Sequence, residues 1–261
     1  VKNTVIIPTY NERENLAGLI NRILKLEIGA YVLVVDDNSP DGTGKLADEL
    51  AASNGHVRVI HRPSKLGLGT AYIAGFKGAL SEGADRVVTM DADFSHNPRY
   101  IPALLALVDQ YHLGIGSRYV SGGGVAADWG IHRKFLSWGA NHFTRLMLGL
   151  RAHDCTAGFR CYRRELLQSI DLDHVFSNGY SFLIEMLYKC HGMGYSIGET
   201  PITFENRHHG SSKISQAEIF KAMYTVLRLA AGRTALRRRS SPHTSSPSPK
   251  HEVDSAPERG L

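Results

Sequence analysis

The sequence predicts an α/β fold with a mostly parallel central sheet and helices on both faces. Three observations carry that expectation. Short, nearly continuous apolar runs recur through the first half of the chain, and segments with a helical apolar period separate them. The sharpest acidic clusters also fall where the apolar runs end. In open parallel sheets ligands gather at the carboxyl ends of the strands, so these clusters mark the expected site.

The elements follow in order. Thr4–Pro8 reads as a first strand, and Leu16, Leu19, Ile20, Ile23 and Leu24 mark one face of a helix. Tyr31–Val35 is a second strand that ends in Asp36 and Asp37. The turn formers Pro40, Asp41 and Gly42 then lead into a helix over Thr43–Ala51. Val57–His61 is a third strand, and Thr70–Leu80 is helical with Tyr72, Phe76 and Leu80 on one face. Arg86–Met90 is a fourth strand running into Asp91-Ala92-Asp93, and Asn97-Pro98 starts a helix through Val108. The second half is less regular. Leu113–Tyr119 reads as a strand, Gly122-Gly123-Gly124 as a mobile turn, His132–Leu148 and Ser181–Cys190 as helices, and Tyr195–Phe204 as extended.

The 261 residues suffice for one substantial core. Residues 1–235 form the expected folded domain, C-terminal amphipathic helix included, and the Ser/Pro-rich, charged residues 236–261 are expected to be a disordered tail. Cys155, Cys161 and Cys190 form neither a disulfide framework nor a zinc pattern and read as reduced, buried thiols of a cytosolic protein. No signal peptide is recognised, and no apolar run approaches the roughly 20 residues needed to span a bilayer. The net charge of +5 is uneven, with Arg233, Arg237, Arg238 and Arg239 clustered after Ala217–Ala231. That segment fits either a basic amphipathic helix lying on an anionic membrane or a packed C-terminal helix beside a solvated charge run. Nucleic acid is not expected as a partner, because no aromatic–basic module appears.

Asp91 and Asp93 bracket one small residue at a strand end. Two such carboxylates can share Mg2+ or Mn2+ while the cation grips a diphosphate; an isolated pair of this kind more often caps a turn. Here the preceding strand and the other strand-end acids favour the metal. Asp37 suits a nucleotide ribose or base, whereas Asp36 and Asp41 suit turn formation. Gly67-Leu68-Gly69 resembles part of a phosphate loop without its lysine–hydroxyl element, and Lys65 reads as a solvated lysine or a nucleotide contact. Arg118, Arg133, Arg207 and Lys213 are cationic candidates for phosphate, though each alone reads equally as a surface charge.

The opening run VIIPTYNERENL (5–16), with DDNSPDGT (36–43), KLGLGTAY (65–72), MDADFSHNP (90–98), GSRY (116–119) and RHHGSSK (207–213), resembles inverting family 2 glycosyltransferases. Within that family the series is similar to dolichyl-phosphate and polyprenyl-phosphate mannose synthases, over roughly residues 3–230. The resemblance implies a GT-A fold with a Rossmann-like sheet, a GDP-mannose donor, and Mg2+ or Mn2+. It implies that Pro8, Tyr10, Glu12, Val35 and Asp37 surround the nucleoside and that Asp91, Ala92 and Asp93 form the diphosphate–metal site. It further implies that Arg118, Arg207 and Lys213 contact phosphates and that Arg133 contacts the acceptor phosphate. Asp154 would lie near sugar or acceptor, with Glu185 in another family segment. Asp91, Asp93, Arg118 and Arg133 are then the expected catalytic residues. Ser95 stands where some relatives carry glutamine.

Some relatives carry C-terminal transmembrane helices and others a single catalytic domain; this chain matches the second pattern. The expected location is the cytoplasm, peripherally on the cytoplasmic face of a membrane, by direct attachment or through an integral membrane partner. The expected reaction is one in-line displacement giving polyprenyl-phosphate β-mannose and GDP. Transfer from UDP-glucose to the same lipid is the nearest alternative, and a non-catalytic nucleotide-sugar-binding protein the more distant one. A NAD-linked dehydrogenase is disfavoured, since no GxGxxG follows the first strand.

Overall fold

The computed structural model describes residues 1–207 and 216–239, with only the backbone course for Arg133, Gln216, Ala217 and residues 233–239. In chain order its first half is β1 (Asn3–Thr9), α1 (Arg13–Leu24), β2 (Ala30–Asp36), α2 (Thr43–Ser53), β3 (Val57–His61), α3 (Leu68–Ser81) and β4 (Arg86–Thr89). A 3-10 turn over Pro98–Tyr100 leads into α4 (Ile101–Leu107). Then follow β5 (Leu113–Ser117), β6 (Gly124–Val125), α5 (Ile131–Leu148), β7 (Arg160–Arg163), α6 (Arg164–Ser169), α7 (Ser181–Gly192), β8 (Ile197–Pro201), β9 (Thr203–Phe204) and α8 (Gln216–Arg239).

The main sheet has the order β3-β2-β1-β4-β7-β5-β8. Its first four strands are parallel; β7 runs antiparallel to both β4 and β5, and β8 is parallel to β5. Pairing Thr9 with Asp36 makes β1 and β2 end together, so Tyr10 and Asp37 leave the sheet at one edge. Ile6 pairs with Thr89, which brings the residues after β4 to the same edge. Two apolar clusters cover the two faces. Leu16, Leu19, Ile20 and Ile23 of α1 pack with Leu104 of α4 on one side, and Tyr72 and Phe76 of α3 pack with Phe182 and Leu187 of α7 on the other. Alternation along β1 serves both: Ile6 belongs to one cluster, Val5 and Ile7 to the other. Helix α3 lies close on the sheet at Gly75, where a Cβ would stand 2.6 Å from Ile6 Cγ2.

The structure adds a strand that the sequence reading left unassigned, β7, and differs from that reading at three further points. In β7, Arg160 is fully buried, and the guanidinium donates to the carbonyls of Ala157, Cys155 and Leu183 at 2.7, 2.8 and 2.8 Å. Those bonds let a cation occupy a strand that no apolar pattern announces. The glycine turn is partly strand, with Gly124 and Val125 paired to Thr203 and Phe204. The helix expected over 97–108 divides, since Pro102 in the first turn of α4 lacks the N–H that continuous α-helix would require. Helix α8 runs to Arg239, past the expected boundary at 235; residues 240–261 lie outside the described residues.

Candidate active site

At the carboxyl edge of β1, β2 and β4 a single cleft is lined by Pro8, Tyr10, Glu12 and Asp37, by Lys65 and Gly67, and by Asp91, Ala92 and Asp93. Its far wall comes from the second half: Gly179, Tyr180, Arg207 and Glu218. The turn after β2 is rigidly built. Asp36 accepts from Thr9 Oγ1 at 2.9 Å, Ser39 N at 3.1 Å and Ser39 Oγ at 2.6 Å, while Asp41 accepts from Thr43 Oγ1 at 2.6 Å and Arg13 N at 3.2 Å. Both acids therefore brace the turn, as their spacing suggested. Burial opposes ionisation of Asp41, but hydrogen bonds from Thr43 and Arg13 win and hold its carboxyl below the ordinary range.

Asp37 lines the cleft while paired with Arg62. Burial pushes its carboxyl up, countered by Arg62, whose Nη1 lies 3.1 Å from Asp37 Oδ1. Lys65 stands 4.3 Å over the ring of Tyr10, which links the β3–α3 loop to the end of β1.

The loop after β4 is held from within. Phe94 takes a left-handed backbone conformation (φ 64°), and Ser95 N donates to Asp93 Oδ1 at 3.0 Å. His96 is buried, stacked on Phe159, and its Nδ1 accepts the Asp91 N–H at 3.0 Å, which fixes that ring nitrogen as unprotonated. Burial pushes the His96 pKa down. Burial also pushes the Asp91 carboxyl up; the like charge of Asp93 adds to this, and Arg207 opposes it. Arg207 reaches Asp93 with Nε 3.1 Å from Oδ2. Burial pushes the Tyr180 hydroxyl to about 12, and its side chain hydrogen-bonds Arg207.

Asp91 and Asp93 offer hard oxygen ligands suited to Mg2+ or Mn2+. Among the described residues no group of three or more His, Cys, Asp or Glu forms a closed metal cage. Such a pair fits a cation that draws its remaining ligands from a diphosphate and water.

A second groove opens at the end of β5, two strands along the sheet from Asp91. Arg118, Tyr119, Val125, Trp129, Lys134 and Trp138 line it. Arg118 donates through Nε and Nη2 to the two oxygens of Asp154, each at 2.7 Å, and to Thr156 Oγ1 at 2.8 Å. Asp154 is completely buried; burial would raise its pKa, but Arg118 prevails and holds it low. Beyond the groove, Ile131, Phe135, Leu136, Trp138 and Leu146 of α5 are each more than half exposed. Helix α8 packs beside α5 and α7, burying Thr225 and Val226, and turns Phe220, Met223, Tyr224 and Leu227 outward. The inner face of α8 is thus that of a packed helix, and its outer face is apolar.

Of the residues singled out from sequence, Pro8, Tyr10, Glu12, Asp37, Asp91, Ala92, Asp93 and Arg207 meet in the first cleft. Arg118 stands apart, in the second groove. Val35 is fully buried between sheet and α3 and does not line the cleft, because its side chain points into the core while only its backbone reaches the strand end. Arg133 lies on α5, its side chain outside the described residues, as is the whole of Lys213. Glu185 is buried and accepts from Ser177 N at 2.9 Å, a structural anchor for the segment before α7. Sequence reading missed His96, Gly179, Tyr180, Glu218 and Trp138. Only His96, beside the paired aspartates, carried a local signal.

The sequence model of the family described as "Glycosyl transferase family 2" matches residues 4–171. The chain is 50% identical over 227 residues to a polyprenol monophosphomannose synthase of Mycolicibacterium smegmatis, covering 86% of this chain and 85% of that relative. It is 47% identical over 236 residues to an undecaprenyl-phosphate mannosyltransferase of Micrococcus luteus, covering 90% and 97%. Among solved structures, glucosyl-3-phosphoglycerate synthase from Mycobacterium tuberculosis, in complex with Mn2+, UDP and glucosyl-3-phosphoglycerate, superposes with a TM-score of 0.62 at 19% identity, covering 88% and 80%. A mannosyltransferase from Pyrobaculum calidifontis in complex with GDP-Man and Mn2+ gives 0.54 at 16% identity, covering 92% and 76%. Those two likenesses establish the GT-A fold, and the matched motifs and relatives together establish the lineage: the chain belongs to glycosyl transferase family 2.

Proposed function

We propose that this chain transfers mannose from GDP-mannose to a polyprenyl phosphate, releasing GDP and giving polyprenyl-phosphate β-mannose by inversion. The carrying observation is the pairing of two unlike clefts on one sheet edge. One is acidic and polar, suited to a nucleotide sugar with its cation. The other combines Arg118 and Lys134 with Trp129 and Trp138, suited to an anionic head on an apolar chain. The relatives named for polyprenol and undecaprenyl phosphate supply the substrate class.

In this reading Tyr10, Glu12 and Asp37 hold the nucleoside, while Lys65 and Arg207 approach the diphosphate. Mg2+ or Mn2+ at Asp91 and Asp93, when bound, neutralises charge developing on the leaving diphosphate. Arg118 spends Nε and Nη2 on Asp154 and offers Nη1 to the acceptor phosphate, with Lys134 and Arg133 on α5 nearby in sequence. A phosphate monoester is largely ionised near neutral pH, its second pKa being about 6, so its oxygen attacks the anomeric carbon without a dedicated base. Catalysis then consists of alignment and charge stabilisation.

Among the described residues no helix is long and apolar enough to cross a membrane. The outward faces of α5 and α8 supply the membrane contact in this reading, with Lys134, Lys221 and Arg228 among their apolar residues to meet anionic headgroups. The protein would work peripherally, at the cytoplasmic face, directly or beside an integral partner. The test is mass-resolved product formation with polyprenyl phosphate, Mn2+ or Mg2+, and competing GDP-mannose and UDP-glucose. Metal-dependent polyprenyl-phosphate mannose is expected. A glucose product overturns the donor, and no transfer from either overturns the reaction.

A further inference from the structure

We infer that Glu218, on the first turn of α8, is a positioning residue of the donor cleft, acting through Gly179 and Tyr180 on Arg207. The inference rests on the donor-cleft reading above. Glu218 lines the same cleft as Glu12, Asp37, Asp91 and Asp93, so it adds a fifth carboxylate to an already acidic space. Like charges at close quarters are costly, and the contacts Glu218 makes offset that cost.

What it holds is visible. Glu218 Oε2 accepts the backbone N–H of Tyr180 at 3.4 Å, while Oε1 takes Lys221 Nζ at 2.8 Å. The contact with the preceding residue is closer still: a Cβ on Gly179 (φ 65°) would stand 2.2 Å from Glu218 Oε2. The carboxylate therefore occupies the space a side chain at 179 would fill. Tyr180 in turn hydrogen-bonds Arg207 through its side chain, and Arg207 Nε lies 3.1 Å from Asp93 Oδ2. Glu218, Tyr180, Arg207 and Asp93 thus form a continuous chain of contacts from α8 to the cation-binding aspartates. The Gly179–Tyr180 turn also seats against the phosphate-side loop, since a Cβ on Gly67 would be 4.0 Å from Gly179 N. Glu218 sets the position of that turn, and the turn sets Arg207.

A carboxylate at the start of α7 also stabilises that helix through its unpaired N–H groups. The experiment must separate this from positioning. Glu218→Ala and Glu218→Gln are compared with wild type for thermal stability, for binding of GDP and of UDP with Mn2+ by calorimetry, and for donor KM and kcat. Glutamine keeps an oxygen that accepts the Tyr180 N–H; alanine keeps none. The expected result is about tenfold weaker nucleotide–Mn2+ binding in Glu218→Ala, the scale of one hydrogen bond, with most of it restored in Glu218→Gln. Gly179→Ala, which displaces the carboxylate, weakens binding in wild type and much less in the Glu218→Ala background. Unchanged nucleotide binding in Glu218→Ala, or equal losses in both variants that track lowered melting temperatures, overturns the inference alone. Wild-type protein that binds neither nucleotide overturns the donor-cleft reading together with it.

Discussion

Two aspartates in neighbouring clefts, Asp91 partly exposed and Asp154 completely buried, respond oppositely to their surroundings. In the donor cleft burial dominates at Asp91 and its carboxyl is pushed up, with Asp93 beside it raising it further. In the second groove Asp154 is more deeply buried, yet the Arg118 guanidinium holds it low. The difference lies in whether the protein supplies the countercharge. Asp154 has its own fixed cation and serves to orient Arg118. Among the described residues Asp91 and Asp93 have Arg207 and a neutral His96 beside them, an arrangement suited to a cation arriving with the donor. One cleft is built to be completed by its ligand; the other is complete and rigid beforehand.

Replacing Asp91 by Asn should break the contrast most severely. With one hard ligand lost, kcat should fall by about 10²–10³-fold while the fold persists, since removing an unfavourable buried charge costs the native state little. Rate assays beside thermal melting check this. Asp154→Ala should do the reverse and act first on stability. Leaving Arg118 buried without its partner costs about 3–5 kcal/mol, a fall in melting temperature of about 10 °C. The wild-type pair also carries a pH signature. The Asp154 pKa is depressed in the folded state, so its contribution is full above the ordinary carboxylate range and is lost as pH falls through the folded value. Melting between pH 7 and pH 3 should therefore show a steeper acid loss in wild type than in Asp154→Asn.

A milder effect is expected on the apolar face. Trp138→Ala or Phe220→Ala should each weaken binding to anionic phospholipid vesicles by roughly tenfold, the worth of burying one aromatic side chain, and leave nucleotide binding unchanged. Sedimentation with vesicles measures it, and equal binding by both variants and wild type would remove α5 and α8 from the membrane contact. The smallest effect is expected at Lys65. It lines the donor cleft from the β3–α3 loop, and on the proposed reading its charge approaches the diphosphate, so Lys65→Ala should weaken GDP–Mn2+ binding about threefold, and less at high salt.

The donor half was legible because its signals are local. Strands β1 to β4 are apolar runs whose ends carry the acids, and turn chemistry at Pro40, Asp41 and Gly42 marked where α2 begins. The second half depends on long-range partners. Arg160 makes sense in a central strand only once three carbonyls from other segments surround it. Asp154 stood out in sequence, but its role became readable only when β5 brought Arg118 onto it. Tyr180 and Glu218 belong to none of the quoted motifs and enter the cleft because α7 and α8 pack over the sheet edge. Val35 shows the opposite failure. The family resemblance placed it around the nucleoside, whereas strand alternation sends its side chain into the core.

The most direct test supplies polyprenyl phosphate and GDP-mannose to the purified chain, with and without Mn2+, and identifies the products by mass. Polyprenyl-phosphate mannose formed with Mn2+ and abolished by chelation is the predicted result. Folded protein that binds GDP and Mn2+ but never mannosylates the lipid would contradict the account.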